Sequence, residues 1–114
     1  MKITELDPRW LVKDGRRVGF IFRCPTKHDW YQSCMLENVT RREQWRMFNE
    51  ALRGCGVGED EFQYTRVQGC RQDCAWRIIS GSDFHDISVS PSIDGSAGGM
   101  WHGYITNGEI VGGV

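Results

Sequence analysis

Four residues in two short spacings are the first candidates for chemistry: Cys24 and His28, then Cys70 and Cys74, with three residues inside each pair. Thiolate sulfur and imidazole nitrogen are ligands of tetrahedral zinc, and a gap of two to four residues lets one loop aim both at the same ion. Brought together, Cys24, His28, Cys70 and Cys74 would form a Cys3His site, which makes zinc the one cofactor with a candidate ligand set. Neither pair has the two-residue gap of a zinc knuckle, and a helix lies between them. The competing account is that the thiols are small buried residues, so the default expectation is no cofactor.

Trp101 and His102, followed by Gly103, are the candidate binding residues. An imidazole beside a large aromatic ring can bind a ligand or move a proton near neutral pH, although a strand histidine bonded to backbone acceptors needs no function. Ser92, Asp94, His85, Asp86 and His102 hold the side-chain types of a Ser-His-Asp triad. No Gly-x-Ser-x-Gly elbow accompanies them, so the sequence offers no catalytic residue. Arg42, Arg46 and Arg53 share one helix face and could lie on phosphate, but Glu43 and Glu50 stand on the same helix and weigh against nucleic acid.

The elements that would position these groups follow from turn residues and periodicity. Leu6-Asp7-Pro8-Arg9 is a turn into Trp10-Leu11-Val12, and Asp14-Gly15 then predicts a hairpin. Residues 18 to 22 alternate, with Val18, Phe20 and Phe22 on one side and Gly19 and Ile21 on the other. A Cys24-Pro25 loop leads to a second extended piece, Trp30 to Leu36. Thr40 and Glu43 then form a capping box for a helix from about residue 40 to 53, with Trp45, Phe48 and Leu52 as its buried stripe.

Beyond a glycine-rich, acidic linker at 54 to 61, residues 62 to 67, 75 to 79 and 84 to 90 read as strands, the last ending at Pro91. Gly95 to Gly99 is a flexible connection, and Asn107-Gly108 closes a C-terminal hairpin between Trp101 to Thr106 and Glu109 to Val111. The fold class is α+β: a mostly antiparallel sheet of five to seven short strands with one amphipathic helix. The five tryptophans, one on nearly every element, are expected to meet in the core.

At 114 residues the chain, 1 to 114, is a single domain, with 39% apolar and 25% charged residues, as in globular proteins. No apolar run is long enough to cross a membrane, no leader-like segment opens the chain, and five thiols are an odd number for a disulfide framework; the expected location is the cytoplasm. Charge is uneven. Residues 1 to 57 carry 11 Lys and Arg against 7 Asp and Glu, and residues 58 to 114 carry 3 against 8. That division suits an oriented protein partner or a homo-oligomer, or simply cancels over one surface.

Phe22-Arg23-Cys24-Pro25, Pro91-Ser92-Ile93-Asp94 and Trp101-His102-Gly103-Tyr104-Ile105-Thr106-Asn107-Gly108-Glu109, with Leu6-Asp7-Pro8-Arg9-Trp10 before them, carry a resemblance that covers most of the chain. The chain resembles a family of small phage and prophage proteins that often bear the label ammonia monooxygenase. The resemblance implies a phage or prophage setting in a host cell and no particular activity. Relatives have a second cysteine soon after the Cys-Pro and a cysteine or histidine shortly before the Trp-His-Gly, which looks like a zinc site. Here Thr26, Lys27 and His28 follow the Cys-Pro and Gly99, Met100 and Trp101 precede His102, so only Cys24 and His102 carry over, with His28 as a substitute.

Without membrane spans or a copper or iron ligand set, oxidation of ammonia is not supported. The leading expectation is a phage- or prophage-encoded accessory or interaction protein, non-enzymatic, recognising a host or phage protein. A small zinc-binding module or metalloenzyme is the alternative, and nucleic-acid binding through the helix arginines a weaker one.

Overall fold

Asp14-Gly15 and Asn107-Gly108 both adopt positive φ at each of their two residues, at 52° and 75° and at 49° and 74°. These are the backbone conformations of type I′ turns, and each joins two antiparallel strands as the sequence predicts. The computed structural model describes residues 1–27, 30–54, 63–64, 76–94 and 99–112. In chain order these form a 3-10 turn (Ile3–Leu6), β1 (Arg9–Lys13), β2 (Arg16–Arg23), β3 (Trp30–Met35), α1 (Arg41–Gly54), β4 (Gln63–Tyr64), β5 (Arg77–Ser80), β6 (Ser88–Asp94), β7 (His102–Thr106) and β8 (Glu109–Val111). The expected linker at 55–61, the flexible connection at 95–98 and most of the strand at 62–67 lie outside the described residues.

The α+β class holds, with the strands divided between two sheets ordered β1-β2-β3-β4 and β5-β6-β7-β8. Pairing is antiparallel throughout except for β3 with β4. Helix and sheets stack in three layers. Leu11, Ile21, Tyr31 and Met35 face α1 through Met47, Phe48 and Leu52. On the other side of the first sheet, Phe20, Phe22 and Cys34 meet Val89, Ile93, Trp101 and Ile105 of the second. Phe22 and Trp101 pack edge to face with centroids 6.0 Å apart, and Trp10 stacks on Phe84 at 4.3 Å. Among the described residues no helix is long and apolar enough to cross a membrane.

Three local expectations change. Val18 faces α1 with Ile21, not the second sheet with Phe20 and Phe22. Leu11 pairs with Gly19 and Val12 with Arg17, so Val18 is an extra residue in a bulge that shifts the alternation by one. Trp45 is 46% exposed rather than in the buried stripe. The apolar face centres on Met47, Phe48 and Ala51, and at 100° per residue Trp45 sits roughly 110° round from that centre. Residues 84 to 86 form a turn, and β6 starts only at Ser88 and runs on past Pro91. The turn forms because Asp86 Oδ1 accepts the Ser82 and Asp83 N–H groups at 3.0 Å, an arrangement that competes with a ladder.

The capping box forms as expected: Glu43 N–H donates to Thr40 Oγ1 at 3.1 Å and Thr40 N–H to Glu43 Oε1 at 3.3 Å. Glu43 also pairs with Lys13 of β1, tying the start of the helix to the sheet. Lys13 and then the Thr40 hydroxyl and N–H hold the Glu43 carboxyl down from 4.5 to about 2. A carboxyl lowered on folding stabilises the native state above its unfolded value, and that contribution is lost as pH falls towards the folded one. The melting temperature is therefore expected to fall between about pH 4.5 and 2, and Glu43→Gln to reduce that slope. The slope should be reduced rather than abolished. Glu37, lowered by Arg16, and Asp83 and Asp86, lowered by the turn N–H groups, titrate in the same direction. Differential scanning fluorimetry across this range checks it.

Candidate functional site

β6 and β7 carry the site, and an irregularity in their pairing shapes it. Val89 pairs with Ile105 and Ile93 with Gly103, so Ser90, Pro91 and Ser92 all stand opposite the single residue Tyr104. A proline cannot donate to a ladder, and a bulge is where a strand accommodates one. Regular pairing resumes with Asp94 directly opposite His102. Ile93, Gly103 and Ile105 turn inwards and are buried, so Ser92, Asp94, His102 and Tyr104 share the outer face of the second sheet.

On that face Ser92 Oγ lies 3.3 Å from His102 Nε2. Both side chains are half-buried, reachable by solvent yet held by their surroundings. The Ser92 carbonyl accepts the Trp76 indole N–H at 3.0 Å, which anchors the bulge from the side of β5. Directly opposed antiparallel residues have Cβ atoms about 5 Å apart, so Asp94 and His102 are within side-chain reach of each other. Trp101, beside His102, points the other way. It is 1% exposed, and its N–H reaches the Gly112 carbonyl at 3.3 Å. Gln32 Nε2 donates to the Trp101 carbonyl at 3.0 Å, fixing the entry to β7 from the first sheet.

Of the other triad letters, His85 and Asp86 belong to the far end of β7. Their turn packs on Asn107-Gly108, where Gly108 N–H donates to the Ile87 carbonyl at 2.8 Å. His85 is 3.8 Å from Asp86 with its side chain 73% exposed. Ser92 and His102 are thus brought together, with Asp94 opposite His102 in the ladder, and His85 and Asp86 are not. The strand-ending role expected of Pro91 concealed this grouping. Read as a bulge, a proline inside an alternating run would have placed Ser92 and Asp94 on a strand alongside His102.

Cys24 is fully buried in the core between the sheets. Its sulfur accepts the Lys27 N–H at 3.3 Å and lies 3.4 Å from Thr26 Oγ1, inside a loop closed by Cys24 N–H to Trp30 O and Trp30 N–H to Lys27 O. Of the candidate zinc ligands, His28, Cys70 and Cys74 lie outside the described residues. Among the described residues no three His, Cys, Asp or Glu side chains gather to hold a metal ion. Arg42, Arg46 and Arg53 line an open groove on α1 with Glu43, Trp45, Asn49 and Glu50. No protein-family model matches the chain, and no curated protein and no solved structure matches it.

Proposed function

We propose that this protein is a hydrolase of the serine-histidine type, transferring the acyl group of an ester or amide to water. The observation that carries this reading is the 3.3 Å contact of Ser92 Oγ with His102 Nε2 on a bulge of the open sheet face. Ser92 Oγ attacks the acyl carbon while His102 Nε2 takes its proton; the bond to the leaving oxygen or nitrogen then breaks as the imidazolium returns that proton. Water, deprotonated by the same nitrogen, hydrolyses the acyl-serine and restores the hydroxyl. For this the imidazole must carry its resting proton on Nδ1, leaving Nε2 free to accept the Ser92 proton. The sequence, lacking a nucleophile motif, favours a non-enzymatic role; the Ser92 and His102 geometry supports an enzyme instead. Turnover of p-nitrophenyl acetate, lost in Ser92→Ala and in His102→Ala, is the expected result. An unchanged rate in Ser92→Ala defeats the proposal.

A second reading keeps the accessory or interaction role in a phage or prophage setting. Trp45, 46% exposed in the groove with Arg42, Arg46 and Arg53, supports it, because tryptophan and arginine dominate binding energy at protein interfaces. Trp45→Ala is then expected to lose a defined host or phage protein in co-purification at an unchanged melting temperature. Retention of that protein removes Trp45 from the interface. Glu43 and Glu50 in the same groove weigh against nucleic acid as the occupant.

A further inference from the structure

Tyr104 and Val111 form a directly opposed pair on β7 and β8, and both are exposed, at 54% and 45%. Tyr104 follows His102 by two residues on the same strand, so it stands on the same outer face about 7 Å further along. It is also the single residue that the Ser90-Pro91-Ser92 bulge opposes. The next pair on this face, Thr106 with Glu109, is polar. The outer face therefore has an apolar platform one cross-strand pair wide, bounded by the Ser92 and His102 contact on one side and by polar residues on the other.

We infer that Tyr104 and Val111 select the acyl side of the substrate, making it an ester or peptide-like amide with one short apolar group next to the carbonyl that Ser92 attacks. The inference rests on the serine-histidine reading. The acyl group becomes bonded to Ser92, and Tyr104 lies opposite the bulge that carries Ser92, whereas the leaving group departs towards the imidazole that protonates it. An apolar acyl chain then lies over the tyrosine ring and the valine methyls and leaves water. The platform covers only one side of such a chain, so it sets a preference and not an absolute requirement.

The test is kcat/KM for p-nitrophenyl acetate, butyrate and hexanoate with the wild-type protein, Tyr104→Ser and Thr106→Ser. The wild type is expected to prefer hexanoate over acetate by about tenfold, mainly through KM, since part of each added methylene is buried. In Tyr104→Ser the ratio should fall to about one, and in Thr106→Ser it should stay near ten. Equal rates on all three esters in the wild type, or a preference that survives Tyr104→Ser, overturn the platform while leaving the serine-histidine reading standing. No turnover of any ester above the buffer rate overturns both. Because Tyr104 is exposed, a melting temperature close to that of the wild type shows that a lost preference is not lost folding.

Discussion

Replacing Ser92 by alanine is expected to lower ester turnover by about a thousandfold or to the buffer rate, with the melting temperature lowered by no more than about 5 °C. The attacking atom is removed outright, and what remains is binding without an acyl intermediate. His102→Ala is expected to lose about 100- to 10,000-fold, the usual contribution of a positioned general base. The double variant should be no worse than either alone, because nucleophile and base act as one unit. The two half-buried side chains share one hydrogen bond at 3.3 Å, so its loss costs about 1 kcal/mol at most. Steady-state kinetics beside a thermal melt separate chemistry from folding. Full turnover by Ser92→Ala would show that the contact with His102 is structural.

A large loss of stability is expected from Gly108→Ala. Gly108 has φ +74°, and a Cβ there would sit 2.8 Å from the Phe84 carbonyl oxygen and closer still to that of His85. These are backbone atoms in a turn held by Asp86, so they cannot swing aside. The Gly108 backbone also joins both neighbours, donating to Ile87 O at 2.8 Å and accepting from Ile3 N–H at 2.9 Å. Gly15→Ala is the matched control: φ is +75°, but nothing lies within 4 Å of its Cβ position. It should cost only the left-handed backbone term, about 1 kcal/mol. Gly108→Ala should cost about 3 kcal/mol or more, a fall in melting temperature of roughly 10 to 20 °C. Equal losses in the two variants would mean that the turn at residues 83 to 86 yields easily to the hairpin.

What could be read in the sequence was whatever a few neighbouring residues decide among themselves. Asp14-Gly15 and Asn107-Gly108 accept positive φ wherever they occur, and Thr40 with Glu43 closes the first turn of a helix from within that turn. Hence both hairpins, the helix and the α+β class were legible in advance. The division into two sheets, the phase of Val18 and the exposure of Trp45 depend on what each strand or helix meets across the core, which no local pattern specifies. The candidate site belongs to this second kind. Ser92 and His102 are ten residues apart in the sequence, and they meet only because β6 and β7 pair in the register that sets Ile93 opposite Gly103 and Asp94 opposite His102. Pro91 signalled a break in the ladder, but only pairing with β7 turned that break into a bulge with a serine beside an imidazole. Backbone preference acts over a turn, whereas register is settled by packing between strands, and it was register that placed Ser92 beside His102.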